Sequence, residues 1–366
     1  MQTFNINNLK GQSQILNIVQ KDNIKNNLLT LFVGIVGAWV GYILNIPLGP
    51  MLGALVFVLI AKRTYSALKL SRYFSSLALY LGGIFMGSRF PKDFSSAFLS
   101  WETSLLAVPL FVLVSVLSIS IYLKFFPKYN VSTSVLSAFP GGILTMIGLG
   151  SAKKTREDLI LSTHTIRIIM TVVTIPFVLT FYGYTAGDNI LSEDVIFTLS
   201  DFTAYEILVV LSVSIVSLIF AKIIKLPAGE LVGPMFGVGF LYSTEMVVGE
   251  IPSITLIFVL WLLGSNLGIR FPQINIVALL KLLLHGIVIF VILLLFSLIF
   301  TVLLIPFSNE DPLTIFLAFA PGGLGEMATI GLVFGANPVF ISMHHVVRVI
   351  SCALFAIFLS KWFLNK

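Results

Sequence analysis

The chain has 366 residues, of which 57% are hydrophobic and only 10% are charged, against roughly 25% charged in an ordinary soluble domain. This composition excludes a soluble globular protein. The formal net charge of +6 comes from Lys and Arg residues spread thinly between apolar runs, so no basic domain remains that could bind nucleic acid. The apolar runs are continuous and do not alternate as the strands of a β-barrel do. We therefore predict an all-α polytopic membrane protein.

The predicted elements begin after a polar segment of 27 residues that is rich in Asn and Gln. We interpret residues 1–27 as a cytoplasmic tail and not as a signal peptide, because they contain no apolar core. A first membrane repeat is predicted over 28–184, an acidic linker outside the cytoplasm over 185–204, and a second membrane repeat over 205–366. The apolar segments cover 28–46, 48–61, 73–88, 103–126, 132–151 and 159–183 in the first repeat, and 205–224, 230–243, 253–269, 276–306, 313–335 and 338–364 in the second.

The two repeats are related by a nearly constant offset in sequence. Leu or Val matches would arise by chance in an apolar chain, whereas Pro, Gly, His and Arg matches at one offset indicate a fused duplication. An offset of 180 relates Pro47, Gly49 and Gly53 to Pro227, Gly229 and Gly233. An offset of 181 relates Gly87, Arg89, Phe90 and Pro91 to Gly268, Arg270, Phe271 and Pro272. The same offset relates Pro140, Gly141, Gly142 and Met146 to Pro321, Gly322, Gly323 and Met327. It also relates His164 and Arg167 to His345 and Arg348.

The distribution of positive charge predicts the topology. If all twelve segments cross, the Lys and Arg residues of tails and loops divide into 11 inside and 9 outside, which is no bias. If the fifth segment of each repeat enters and leaves on one side, 18 of the 22 lie inside, Arg89 and Lys92 lie outside, and Arg167 and Arg348 stay within the membrane. Each repeat then crosses the membrane five times and has one broken or re-entrant segment that does not cross. Because the number of crossings per repeat is odd, the second repeat is inverted. Both termini then face the cytoplasm, and we expect the bacterial cytoplasmic membrane.

A Pro-Gly-Gly triplet interrupts the fifth apolar segment of each repeat, at Pro140, Gly141 and Gly142 and again at Pro321, Gly322 and Gly323. Pro lacks a backbone donor and Gly loses the most entropy in a helix, so the backbone is expected to unwind there. Freed backbone groups are tolerated in a membrane where protein or a water-filled cavity satisfies them, and paired breaks in inverted repeats indicate a transporter's substrate site. The alternative is a kink that allows close helix packing.

Polar residues near these breaks are candidates for binding. Glu326 follows the second triplet, where the first repeat has Thr145. A carboxylate there could carry a proton, bind a cation, join an ion pair or complement the start of a helix. Thr145 and Ser137 are candidates for hydroxyl contacts, with bonds to their own helix as the alternative.

Arg167 and Arg348 are predicted near the centre of the bilayer, where an unpaired charge is costly. His164 and His345 each precede an arginine by three residues and share its helix face. Each pair could hold an anionic substrate or an internal partner such as Glu326. His285 and His344 are interpreted as packed or interhelical histidines, and Asn337 as a helix cap.

Metal and cysteine chemistry are not expected. Cys352 is the single cysteine and lies in an apolar run, and the four histidines show no His-x-x-x-His spacing. We expect no cofactor.

The triplet segments resemble a known family. AFPGGILTM, AFAPGGLGEMATIGLVFGANPVFISMHHVVRVI and LPAGELVG resemble segments of the AbrB family of duplicated bacterial membrane proteins, and the resemblance extends over the chain from about residue 28. The family is often labelled ammonia monooxygenase or AbrB regulator. It is similar to transporters built from inverted five-helix repeats, in which crossed broken helices form the substrate or ion site. The resemblance implies that the two triplets are the break points. Thr145 departs from it, since an acidic residue like Glu326 would be expected there, so equal roles for the two repeats are not implied.

The leading functional hypothesis is a secondary transporter of a small polar or anionic solute, coupled to H⁺ or Na⁺ or uncoupled. No nucleotide-binding motif is present, which argues against an ATP-driven pump. The alternatives are a membrane sensor that binds a ligand without moving it and, more remotely, a monooxygenase. The expected partners are the lipid bilayer and a small-molecule or ion substrate, with no nucleic acid, and the sequence is compatible with a homodimer.

Overall fold

The computed structural model describes residues 6–151, 155–185, 203–271 and 276–363, and within these ranges the chain is helical with no strand. The helices are α1 (Ile6–Ile43), α2 (Gly49–Thr64), α3 (Arg72–Gly87), α4 (Phe94–Ser100), α5 (Glu102–Phe125), α6 (Val131–Ala138), α7 (Ile143–Ser151), α8 (Glu157–Phe181), α9 (Ala204–Ile223), α10 (Gly229–Ser243), α11 (Ile254–Ile269), α12 (Ile276–Leu304), α13 (Pro312–Phe319), α14 (Leu324–Val333) and α15 (Pro338–Phe363). A 3₁₀ turn, Ile305–Phe307, extends α12.

Six helices in the described ranges are long and apolar enough to cross a membrane, as expected of a multi-pass membrane protein. Their candidate spans are Ile24–Ile43, Glu102–Phe125, Glu157–Phe181, Ala204–Ile223, Val277–Phe307 and Pro338–Leu359. Helices α2, α3, α10 and α11 have only 15 or 16 residues. At a rise of about 1.5 Å per residue they extend over about 24 Å, less than the roughly 30 Å of a bilayer's hydrocarbon core.

The observed helices follow the predicted apolar segments closely, with three differences. α1 begins at Ile6 and so includes much of the predicted tail, although its candidate span begins at Ile24. Helix α4 was not predicted, and its first turn is capped by the Asp93 carboxylate, which accepts a hydrogen bond from the Ser96 amide. Each Pro-Gly-Gly segment consists of two short helices. Most of the acidic linker, residues 186–202, lies outside the described residues, as do Lys153 and Lys154 of the charge count.

The duplication is visible in local geometry at corresponding helix starts. Leu48 before α2 and Ala228 before α10 both adopt the left-handed conformation, with φ of 54° and 53°, although neither is a glycine. Asn130 caps α6 and Asp311 caps α13, each through a side-chain oxygen that accepts a backbone N–H. Equivalent residues of the two repeats therefore start equivalent helices in the same way.

The chain divides into two compact units. The first unit comprises residues 1–76 and 261–270. In it α1 and α2 pack through glycines, so that a β-carbon on Gly41 would overlap the backbone of Gly49. The end of α11 packs on α2 in the same manner, because a β-carbon on Gly264 would overlap the Met51 carbonyl. Such small-residue contacts let helix backbones approach closely within a membrane.

The second unit comprises residues 77–260 and 271–366 and contains both Pro-Gly-Gly segments. In it α9 packs on α10 and α3 packs on α10, where a β-carbon on Gly83 would overlap the Leu231 carbonyl. The remaining long helices form a bundle in which α5 contacts α12 and α15, and α12 contacts α8. The short helices α6 and α13 lie between α5 and α8 and between α12 and α15.

Reciprocal contacts relate the two repeats. Gly83 of α3 meets Leu231 of α10, and their counterparts, Gly264 of α11 and Met51 of α2, also meet. In the bundle, the contact of α5 with α15 is matched by that of α12 with α8.

Candidate functional site

The helix is interrupted at both triplets. We call residues 139–142, between α6 and α7, the first break, and residues 320–323, between α13 and α14, the second break. Phe139 and Ala320, which end α6 and α13, have extended backbones with ψ of 129° and 146°. Gly142 has φ of +67°, a conformation that residues with side chains adopt rarely. Each break leaves main-chain carbonyl groups without the helical partners they would otherwise have.

The histidine and arginine of α8 bind the carbonyl groups of the first break. His164 Nε2 donates to the Leu136 carbonyl at 3.2 Å, and Arg167 Nη1 donates to the Phe139 carbonyl at 2.8 Å. Both side chains are buried, and Arg167 is 2% exposed. The His-x-x-Arg pair thus anchors the C-terminal end of α6.

The corresponding pair of α15 binds the second break through more hydrogen bonds. His345 Nε2 donates to the Leu317 carbonyl at 3.1 Å, and Arg348 Nη1 donates to the Ala320 carbonyl at 2.6 Å. Arg348 Nη2 also donates to the Gly322 carbonyl at 2.6 Å and lies 2.9 Å from His345 Nδ1. Since a carbonyl only accepts, His345 carries its proton on Nε2, and Nδ1 is free to accept from the guanidinium.

Neither guanidinium is paired with a carboxylate of the described residues. The ion pairs among the described side chains join Lys92 to Glu245 and Arg156 to Asp158. The Nε donors of Arg167 and Arg348 have no hydrogen-bond partner in the described part of the chain. Buried cations without a counter-charge are unfavourable, so this region is prepared for a negative charge.

Glu326 does not pair with an arginine. Its carboxylate folds back on the start of its own helix, where a β-carbon on Gly323 would overlap it, and the residue is 9% exposed. A carboxylate in the first turn of a helix complements the positive end of the helix dipole. Glu326 therefore provides the second break with its own negative charge.

Thr145, the counterpart of Glu326, leaves space at the first break. A β-carbon on Gly142 would find its nearest neighbour, Met146 Cε, at 3.6 Å, and the Thr145 hydroxyl at 3.9 Å. Ser137 lies between the two residues whose carbonyls are anchored, is fully buried, and has a hydroxyl without a partner among the described residues. The first break is thus the more open of the two.

Each break packs on the arginine-bearing helix of the other repeat. α7 contacts α15, and α14 contacts α8. A β-carbon on Gly141 would lie 3.6 Å from both Cys352 Sγ and Val349 Cγ2, one turn or less beyond Arg348. The twelve residues predicted as site residues thus lie in the two breaks, in the first turns of α7 and α14, and on α8 and α15.

The other polar residues singled out from the sequence lie elsewhere. His285 Nδ1 is 2.8 Å from the Tyr122 hydroxyl, between α12 and α5. His344 is buried between the Phe340 carbonyl and the Ser104 hydroxyl. The side-chain oxygen of Asn337, Oδ1, caps α15 by accepting hydrogen bonds from the Val339 and Phe340 amides. Within the described ranges no group of three His, Cys, Asp or Glu side chains could hold a metal ion.

Two further contacts were not anticipated from the sequence. The Thr133 and Thr314 hydroxyls accept from the backbone N–H of Arg156 and Asn337 at 3.2 and 3.0 Å, in equivalent positions of the two repeats. The shared offset of 181 between the two threonines was the signal that could have revealed this pair. At the start of α13, the Glu310 carboxylate accepts from Trp101 Nε1 and Asn337 Nδ2, each at 3.0 Å.

A cavity of about 240 Å³ opens beside the starts of α6 and α8. Lys128, Tyr129, Asn130 and Arg156 line it together with neighbouring apolar side chains. The Arg156 guanidinium is held there by Asp158, at 2.7 and 3.0 Å. The polar lining includes two cations, so the cavity favours negative over positive solutes.

Comparison with known proteins gives a family and a relative. The family model described as "Transition state regulatory protein AbrB" matches residues 51–364. The chain is also similar to "Uncharacterized protein YhjN" of Bacillus subtilis (strain 168), with 23% identity over 354 residues that cover 90% of this chain and 91% of the relative. The family match spans both breaks and both arginine-bearing helices.

Proposed function

The chain belongs to the AbrB family, and from this premise we propose that it is a secondary transporter that moves a small polar or anionic solute across the bacterial cytoplasmic membrane by alternating access. One observation carries the proposal. Two buried arginines stand at two helix breaks, and no described carboxylate pairs with either. Ionisable groups within membrane-spanning segments are costly, and they commonly mark substrate or ion pathways.

The proposed architecture is a pair of inverted repeats with the solute bound between the breaks. The reciprocal contacts of α3 with α10 and of α11 with α2 support a two-fold relation between the repeats. The loop charges support an odd number of crossings per repeat, which puts that axis in the plane of the membrane. Under this topology both termini and the cavity beside α6 and α8 face the cytoplasm, and the cavity would be a vestibule for the solute.

Coupling to H⁺ or Na⁺ is part of the proposal, with Glu326 as the group that responds. Glu326→Gln keeps the size of the side chain and removes its charge. We expect this variant to change how flux depends on pH or on Na⁺ concentration. Glu245→Gln, which alters an exposed carboxylate, is the control and should show the same dependence as the wild type. Identical profiles for all three proteins would exclude Glu326 from coupling.

A ligand sensor without transport is the second candidate. The description of the family as a transition state regulatory protein favours it, and the same two arginines would bind the ligand. No catalytic reaction is proposed, and the partners that the proposal requires are the bilayer and the solute.

Flux into proteoliposomes separates the two candidates. The purified chain is reconstituted, and uptake of radiolabelled small organic acids is measured against protein-free vesicles. Uptake that saturates and that is lost in Arg167→Ala supports the transporter. Binding of an organic acid to the protein, with no uptake above the protein-free control, would exclude transport and favour the sensor.

A further inference from the structure

The two breaks differ at one equivalent position, Thr145 in the first and Glu326 in the second. The duplication aligns these residues at the offset of 181 that also aligns the triplets and the arginines. Each stands three residues after the last glycine of its triplet, in the first turn of α7 or α14. In the second break this position supplies a carboxylate, and in the first it supplies a hydroxyl.

The space around the two triplets differs accordingly. β-carbons on Gly322 and Gly323 would overlap Met327 and the Glu326 carboxylate. β-carbons on Gly141 and Gly142 would meet their nearest described atoms at 3.6 Å, an ordinary van der Waals distance. The first break therefore has more room around its glycines than the second.

The hydrogen bonds of the arginines differ in the same sense. Arg348 has three acceptors, the Ala320 and Gly322 carbonyls and His345 Nδ1. Arg167 has one acceptor in the described part of the chain, the Phe139 carbonyl, although its guanidinium is 2% exposed. The buried Nε has no described partner in either arginine, but the first break also has the buried Ser137 hydroxyl, which has none in the same ranges. The first break therefore leaves over one donor more than the second.

We propose that the first break binds a carboxylate group of the solute between the start of α7 and the Arg167 guanidinium. Arg167 and the first amides of α7 bind the carboxylate, and Ser137 donates to it. Arg348 is a positioning residue that holds the second break. The solute is therefore a small organic acid. This inference rests on the proposed function of the same site.

A carboxylate suits these donors better than a spherical anion does. Guanidinium presents its donors as a planar fork that matches the two oxygens of a carboxylate, and the free amides at a helix start add further donors for an anion. The equivalent position in the second break already holds a carboxylate, so the fold accommodates its shape and single charge.

The test places a carboxylate on the protein where the solute is proposed to bind. In Thr145→Glu the new side chain occupies the first break, and Thr145→Gln is the matched control of equal size without charge. Thermal unfolding of the full chain in detergent is followed with sodium acetate, lactate, succinate and glutamate, and with sodium chloride, sulfate and phosphate at equal ionic strength. A ligand that binds the folded state raises the unfolding midpoint.

We expect at least one of the four carboxylates to raise the midpoint of the wild type and of Thr145→Gln, and none to raise that of Thr145→Glu. The apparent affinity should fall by roughly 100-fold or more in Thr145→Glu. The inference is overturned if no carboxylate stabilises the wild type, if only phosphate or sulfate does, or if Thr145→Glu binds as well as the control. Should Thr145→Glu not fold, Arg167→Lys replaces it, because Lys keeps the charge and loses the planar fork; full carboxylate binding by Arg167→Lys overturns the inference.

Flux measurements distinguish a failure of this inference from a failure of the proposed function. Carboxylate binding at the first break without flux would exclude transport and leave the inference standing. Saturable flux of a solute without a carboxylate, in a protein that binds none of the four acids, would overturn the inference and leave the transporter standing.

Discussion

The two breaks lie at equivalent positions and differ in backbone conformation, with φ of +67° at Gly142 and −79° at Gly323, and in how completely their polar groups are satisfied. At the second break, Arg348 has three acceptors, Glu326 supplies a carboxylate and Met327 fills the remaining space. At the first break, Arg167 has one described acceptor, Thr145 brings no charge, and a β-carbon on Gly141 or Gly142 would meet its nearest described atom at 3.6 Å. α14 is almost entirely buried, whereas α7 is only partly so.

The difference shows how a duplicated element can divide a task. The second repeat supplies a carboxylate, Glu326, at the start of α14, whereas the first repeat has Thr145 at the corresponding position of α7. In the proposed mechanism the second break stays fixed, and the first break binds the ligand. Comparing paired substitutions at equivalent positions therefore tests the division directly.

The largest expected effect is the loss of stability in Arg348→Ala. The substitution removes the donors to the Ala320 and Gly322 carbonyls and leaves both buried. At about 1–3 kcal/mol for each buried group left unsatisfied, we expect a loss of about 3 kcal/mol in the free energy of unfolding. Arg167→Ala removes one such donor and should cost less than half as much in thermal or denaturant unfolding. Equal losses would contradict the asymmetry between the breaks.

Next in size is the loss of solute binding in Arg167→Ala. Without this guanidinium the first break has no charged donor, and we expect flux in proteoliposomes to fall by about 100-fold, equivalent to about 2.7 kcal/mol. Arg156→Ala, at the cavity rim, is the control, because its guanidinium is exposed and held by Asp158. A larger fall in the control than in Arg167→Ala would move the binding site to the cavity.

A smaller effect is expected from adding a methyl group to each triplet. In Gly322→Ala the new carbon would lie 2.5–2.6 Å from Met327 Cε, Cγ and Sδ, so overpacking should cost about 1–3 kcal/mol. In Gly141→Ala the nearest atoms are at 3.6 Å, and the change in stability should stay within about 0.5 kcal/mol. Unfolding midpoints of the two variants provide the comparison, and a reversed order would show that the first break is the tighter one.

The smallest expected effect is a pH dependence at the start of α13. Burial raises the pKa of Glu310 above its ordinary 4.5 and so does Asp311, while hydrogen bonds from Trp101 and Asn337 oppose the rise. A raised pKa in the folded protein stabilises it below pH 4.5, and this contribution disappears as the pH rises through the raised value. Glu310→Gln, which can still accept both hydrogen bonds, should therefore gain stability relative to the wild type with rising pH, by less than about 1 kcal/mol.

Glu245→Gln is the control for that experiment. A hydrogen bond from Lys92 lowers the pKa of Glu245, so its contribution is present above the ordinary value and is lost as the pH falls. The two variants should therefore show pH dependences of opposite sign in thermal unfolding. The same sign for both would show that the Glu310 carboxylate is not held as described.

The sequence predicts the long helices and both helix interruptions because apolar length and Pro-Gly-Gly have direct backbone consequences. It does not predict what the arginines bind. Glu326 was considered as a partner of Arg348, but the described guanidinium donors go to main-chain carbonyls, which every residue carries and no sequence pattern marks. The contact of Glu310 with Trp101 joins residues over 200 positions apart and has no counterpart at the same offset.

The exchange of helices between the repeats has a consequence for biogenesis. Gly83 is made well before Leu231, its partner on α10, and the 148 residues between them take on the order of 10 s to synthesise at roughly 5–20 residues per second. During that interval the small-residue face of α3 has no protein to cover it. A ribosome that stalls between the repeats would thus release a first repeat that cannot complete its own packing. Such a fragment is expected to be a target for degradation.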